Sequence, residues 1–465
     1  MKPHNSITYE ELEVRLDDKP NKDGFNVRES LQRFDFRKDP RINLVPTEDL
    51  EVRRTLLLLN EPESNDGEDV FTRRERLIEL LLANKTYMEI FEGSLLKDNK
   101  IEEEDEEEDE DFFTPASEEL KNARRFLVQY STDRAKRRLH KERQEAIYFD
   151  ISKEIKYRRT LAHQLENIGL LGSQIASSRP ISSVKFSPDD KHLAVGSWDG
   201  GIKTISAGSL NIKSSVENAH TGKVGEVDWN SSGDLLATGG EDGLVKLFTV
   251  QSGELRQVAD LQGHERRVAG CRFHPFGRYI ASASFDNTWR LWDAETNHEL
   301  LLQEGHGKEV FCLAFQSDGS LLCSAGLDCT GMIWDIRSGN CAMVLSGHTK
   351  PIYSVDWSPR GFEVATASGD GTVNIWDIRK TNQPQVLLAH NSIVSGIRFE
   401  KHNGKFLMSC GYDKNINVYS GDSWNKITIL KGHTDKILAL DLGTHDGSVV
   451  SAGWDRSVKS WNVDN

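Results

Sequence analysis

The chain has 465 residues and a formal net charge of −15, and ten of the fifteen excess carboxylates form one unbroken run at 102–111, so the remainder is only mildly acidic. Six cysteines at irregular spacing, with no CxxC and no Cys/His clusters, argue against a zinc site or a disulfide framework and fit a reducing compartment. No stretch approaches 18 apolar residues and the start has no apolar signal region, so the sequence reads as neither secreted nor membrane-spanning.

Residues 1–45 read as a flexible extension. From 46 to 85 the pattern turns helical. Thr47 can cap a first helix, with Glu48, Asp49 and Glu51 in its first turn, Pro62 and Gly67 break it, and 71–82 resumes with Leu77, Ile78, Leu81 and Leu82 on one side. Two short amphipathic helices with no core of their own are expected to dock on something, through Leu56, Leu59, Leu77 and Leu81.

The acidic linker spans 86–115. Residues 116–167 form a basic helical segment, with 13 Lys/Arg against 7 Asp/Glu between 116 and 160. Leu120, Ala123, Leu127 and Tyr130 share one helical face, while Arg134, Arg137, Arg138 and Lys141 make a basic stripe. Such a stripe fits an RNA or acidic-partner contact and equally a solvated face. The run 134–143, RAKRRLHKER, also has the composition of a nuclear localisation signal.

From 168 to 465 the chain repeats itself. Asp199, Asp242, Asp286, Asp328, Asp370, Asp413 and Asp455 each precede a short polar turn and a strand, at spacings of 42 to 44 residues. Twenty-two or 23 residues before the last six stand His220, His264, His306, His348, His390 and His433, and Ser177 takes that place in the first unit. The strands end on Phe248, Trp292, Trp334, Trp376, Tyr419 and Trp461, with Ile205 the one non-aromatic case. Each unit reads as a four-stranded antiparallel blade. Only four residues follow Trp461, so the last blade's outer strand is expected from 168–175, a closure that removes an open sheet edge.

These residues resemble the WD-repeat family, which implies an all-β seven-bladed propeller behind a mainly α-helical, partly disordered N-terminal extension. The resemblance also implies a buried hydrogen-bonded set in each blade: His264, Ser282, Asp286 and Trp292; His306, Asp328 and Trp334; His348, Thr366, Asp370 and Trp376; His433, Asp455 and Trp461. A nucleophile constellation would occur once, whereas this set recurs, so it reads as scaffold and not as a catalytic triad. In such propellers the residue before the turn Asp and those after the repeat His face the narrow top. Here the first set is Trp198, Glu241, Phe285, Leu327, Gly369, Tyr412 and Trp454, four of seven aromatic, among cations Arg179, Lys223, Arg266, Arg267, Lys308, Lys350 and Lys436, a mixture suited to RNA or an acidic peptide.

No phosphate loop, nucleotide fingerprint, HExxH or nucleophile elbow occurs, so no enzyme activity and no cofactor is expected. The segments 46–53, Glu61-Pro62 and 73–82, followed by seven WD units, resemble the pre-mRNA-processing factor four family. That resemblance implies a non-enzymatic nuclear scaffold of the U4/U6 small nuclear ribonucleoprotein and the U4/U6.U5 tri-particle. Its implied partners are other U4/U6 proteins and the U4 and U6 RNAs, directly or through proteins, with no membrane and no small-molecule substrate. A second reading is a cullin-RING ubiquitin-ligase substrate receptor, from the WDxR boxes at 334–337 and 376–379.

Overall fold

The computed structural model describes residues 46, 49–59, 61–64, 68, 70–84, 87, 91, 116–251, 253–380, 383–444 and 447–463. Thr47, the 1–45 extension and the acidic run lie outside them. The chain divides into two units, Met1–Pro115 and Ala116–Asn465. Among the described residues no helix is long and apolar enough to cross a membrane.

In the first unit, α1 (Asp49–Leu58) and α2 (Val70–Ala83) pair with each other. Val52 and Leu56 of α1 meet Leu77 and Leu81 of α2, with Leu59 and Phe91 completing a small core. This corrects the expectation that the helices lack a core: each apolar face is covered by the other. Polar clasps fix the pair. Arg73 bonds Asp49, Arg76 bonds Glu68 at 2.7 Å, Arg74 Nε donates to the Pro46 carbonyl at 3.1 Å, and Arg76 Nη2 donates to that of Pro62 at 2.9 Å.

The second unit opens with α3 (Glu118–Ile147), whose Leu120 N–H is capped by Ser117 Oγ at 3.2 Å, and α4 (Ile151–Glu166), capped by Asp150. Leu120, Ala123 and Leu127 of α3 pack against Tyr279, Leu300, Leu322 and Trp334 of the propeller, and Leu165 of α4 joins Phe406, Leu430 and Trp461.

Seven four-stranded antiparallel sheets form the blades. Six are contiguous in the chain. The seventh is closed by the strand Ile168–Ile175, which lies outside Ser457–Val463 with Leu170 opposite Trp461 and Ser173 opposite Lys459. The residue after each turn Asp has a positive φ: Gly200, Gly243, Asn287, Cys329, Gly371, Lys414 and Arg456. Three glycines meet that demand freely, Asn287 tolerates it, and Cys329, Lys414 and Arg456 carry strain there. All six cysteines are free, and four are buried as small apolar side chains.

Along the central channel, adjacent blades are latched by charge. Asp228, Asp356 and Asp441 accept the backbone N–H of Phe273, Phe399 and Phe186 on the next blade at 2.8, 2.7 and 2.9 Å. The residue before each phenylalanine is a cation: Arg272, Arg398 and Lys185. Arg272 also reaches Glu226 at 2.7 Å, and Asp441 has Lys185, Arg398 and Lys401 within 3.7 Å. Burial raises the Asp441 carboxyl, but these three cations outweigh it and hold it at about 2.

Candidate interaction surfaces

The repeated polar set sits inside the blades. In the third, His264 Nδ1 lies 2.7 Å from Asp286, His264 Nε2 lies 2.7 Å from Ser282 Oγ, and Trp292 Nε1 donates to the same hydroxyl at 2.8 Å. His306, Ser324, Asp328 and Trp334 repeat this in the fourth blade, His348, Thr366, Asp370 and Trp376 in the fifth, and His433, Ser451, Asp455 and Trp461 in the seventh. Ser177 substitutes in the first blade, donating to Asp199 at 2.7 Å. Phe248 leaves the second blade with only His220, Thr238 and Asp242. Both ring nitrogens of each such histidine are engaged, so none is free to act on a proton from outside.

The propeller top presents a ring of aromatics around the channel mouth. Trp198 and Trp454 meet edge-on with centroids 5.4 Å apart, and Phe311 meets Tyr353 at 5.3 Å and Phe285 at 6.3 Å. Cations lie on these rings: Lys223 over Trp198 at 5.0 Å, Arg267 over Phe285 at 5.4 Å, and Lys436 over both Tyr412 and Trp454 at 5.0 and 4.9 Å. Arg267 is half-buried, and burial draws its guanidinium below the usual range. Arg179, Arg266, Lys308 and Lys350 are exposed. Trp454 Nε1 is a buried donor without a partner among the described residues. Trp198, Arg267, Phe311, Tyr353 and Tyr412 line a mouth of about 240 Å³.

Phe311 and Tyr353 were missed by positions counted from the Asp and the His. They occupy the second place of the strands Val310–Phe315 and Ile352–Trp357, where the other blades carry Ser182, Gly225, Ala269, Ser395 and Leu438. An aromatic in only two of seven equivalent places is the signal that finds them.

Two expected contact sets need correction. Leu56, Leu59, Leu77 and Leu81 are 0 to 3% exposed within the helix pair and cannot be docking residues. Among the described residues of that unit the large exposed apolar side chains are instead Leu50, Leu57, Leu58, Val70 and Phe71. Within the basic stripe, Arg138 turns onto the propeller. It chelates Asp318 at 2.7 and 3.0 Å and donates to the Arg360 carbonyl at 2.8 Å, so it anchors α3. Arg134 folds over Tyr130, while Arg137 and Lys141 stay exposed. The arginines of the WDxR boxes are chelated by their own aspartates, Arg337 by Asp335 and Arg379 by Asp377, both at 2.8 Å.

Seven closed blades, each carrying the His–Ser/Thr–Asp set or its remnant, define a WD-repeat propeller. The family pattern described as WD domain, G-beta repeat matches seven times, at 170–205, 213–249, 255–293, 298–335, 339–377, 382–420 and 424–462. The chain is 54% identical over 424 residues to U4/U6 small nuclear ribonucleoprotein PRP4 of Saccharomyces cerevisiae, covering 90% of this chain and 91% of that protein. It is 42% identical over 425 residues to a PRP4-like protein of Arabidopsis thaliana, covering 90% and 75%. The human U4/U6 small nuclear ribonucleoprotein Prp4 is 35% identical over 198 residues, 42% of this chain and 36% of that protein. The chain belongs to the WD-repeat pre-mRNA-processing factor four family.

Proposed function

We propose that this chain is a non-enzymatic scaffold of the U4/U6 small nuclear ribonucleoprotein and of the U4/U6.U5 tri-particle, acting in the nucleus during spliceosome assembly. The observation that carries this reading is the 54% identity that runs over 90% of the chain to a relative named for that particle. The non-enzymatic part is supported by the repeated His–Ser–Asp sets, whose polar atoms are spent on one another inside the blades. The propeller mouth, with Trp198, Tyr412 and Trp454 under cations, is the face we assign to a protein partner of the particle.

Affinity purification of the tagged chain, with and without ribonuclease, tests the reading. U4 and U6 RNA with their proteins are expected in the untreated eluate. A cullin adaptor in place of those RNAs would overturn it. Reversing Arg266, Lys308 and Lys350 to Glu should remove one protein from the eluate and leave the chain folded, because all three side chains are exposed.

A further inference from the structure

We infer that the groove between the α3–α4 elbow and the turns of the fifth and sixth blades is a binding site for single-stranded RNA. The inference rests on the reading above that the chain works within a ribonucleoprotein, and adds to it a place and a mode of contact. The groove measures about 840 Å³, and its walls include Lys141, Tyr148, Phe149, Lys153, Tyr157 and Arg379.

Three features point to RNA. First, the elbow is built of side chains that a soluble chain ordinarily covers: Tyr148 is 84% exposed, Phe149 60% and Tyr157 47%. Second, cations surround these rings. Lys141 and Lys153 on the groove wall hold only loose, solvent-facing partners, Glu145 and Asp150, at 3.7 and 3.8 Å, while the wall's carboxylates Glu142, Glu154 and Asp422 are already paired with Arg138, Lys405 and Arg158. Third, the platform is braced. Arg138 fixes the end of α3 to Asp318, Lys405 reaches Glu154 at 2.8 Å, and Arg158 reaches Asp422 at 3.2 Å. Flat rings held rigidly among phosphate-seeking cations are how unpaired bases are bound without sequence preference. A duplex keeps its base faces stacked away from Tyr148 and Phe149, so an unpaired strand is the nucleic acid that fits them.

The test uses the full chain and a labelled oligouridine, with binding followed by fluorescence anisotropy across a salt series. Tyr148→Ala and Phe149→Ala should each weaken binding about tenfold with the salt slope unchanged, because stacking on one base is lost. The pair Lys141→Ala and Lys153→Ala should flatten the slope. Circular dichroism should match wild type throughout, since all four side chains are exposed. Equal affinity for duplex RNA, or for polyglutamate, would overturn the inference. So would unchanged binding in the aromatic variants alongside loss in the Arg266, Lys308, Lys350 charge reversal, which would move the RNA to the propeller mouth. A wild-type chain that binds no RNA yet co-purifies with the particle would remove the groove and leave the scaffold reading standing; absence from the particle would remove that reading itself.

Discussion

Ser282→Ala is the most informative single change in the propeller, because one hydroxyl serves two buried partners. In the neutral His264 ring, the nitrogen facing the Asp286 carboxylate carries the proton, so Nε2 accepts. Ser282 therefore gives its own proton to His264 at 2.7 Å and receives Trp292 Nε1–H at 2.8 Å. Removing the oxygen strands a donor and an acceptor, each costing about 1 to 3 kcal/mol when left unpaired in a core, so a loss of about 2 to 6 kcal/mol is expected. The second blade supplies an internal control. Phe248 has no N–H to lose, so Thr238→Val strands only His220 and should cost about half as much. A urea titration followed by circular dichroism on Ser282→Ala, Trp292→Phe and their combination completes a cycle in which size effects cancel. Trp292→Phe should be milder by about 1 to 3 kcal/mol when Ser282→Ala is already present, since the donor it removes is by then orphaned. Equal cost of Trp292→Phe with and without Ser282→Ala would refute the shared-hydroxyl account.

Acid should act through the turn aspartates. Burial raises Asp199, Asp370 and Asp455, but hydrogen bonds from Ser197 and Ser177, from Thr372 and His348, and from His433 and Ser457 outweigh it and hold each at about 2. Folded values below the ordinary 3.8 mean that their contribution is complete above about pH 4 and is lost as pH falls from there towards 2, which a melting series across that range checks. At the turn after Asp455, Arg456 has φ 63°, so Arg456→Gly should raise stability by up to about 1 kcal/mol. Gly371→Ala should lower it, because a Cβ there would lie 2.6 Å from the His390 carbonyl oxygen; thermal melts that moved both variants the same way would contradict this. In the helical arm, Leu57→Glu and Phe71→Glu should keep helicity and release a partner, while Leu77→Asp should lose the helix pair itself, as read by circular dichroism and co-purification.

The propeller was legible because its information is repeated. An Asp every 42 to 44 residues, a His 22 or 23 before it and an aromatic closing the strand imply blades, and the missing outer strand implies the closure seen between Leu170 and Trp461. The helical arm was legible only to the level of pattern. Amphipathic spacing shows that Leu56 and Leu77 must be covered but not that each covers the other, since the two helices lie on either side of a break. Arg138 could have been read better. Leu120, Ala123, Leu127 and Ser131 trace a buried stripe along α3, and the same helical face passes through Arg138 two turns later, so its burial against Asp318 continues the docking face.

Repetition and variation carry different information in such a chain. Where every blade must make the same contact with its own strands, the residue recurs, and that recurrence marks scaffold. The second place of each inner strand meets no such demand: it holds Ser182, Gly225, Ala269, Phe311, Tyr353, Ser395 and Leu438. All of these line the channel mouth, and two of them, Phe311 and Tyr353 in successive blades, add to the ring of Trp198, Phe285, Tyr412 and Trp454 on one side. An asymmetric pair on a near-symmetric ring gives a partner one way to sit, which identical blades could not do. The same holds for the channel latches. Asp228, Asp356 and Asp441 hold the backbone N–H of Phe273, Phe399 and Phe186 at three of the seven blade interfaces, with Arg272 beside Asp228 and Lys185 beside Asp441. Because Arg272 and Lys185 stand in the blades that follow Asp228 and Asp441, a blade placed out of order would bury a carboxylate without its cation, at a cost of several kcal/mol. Departure from the repeat is thus what orders the ring and what distinguishes its faces, and both follow from side chains that a search for self-similarity passes over.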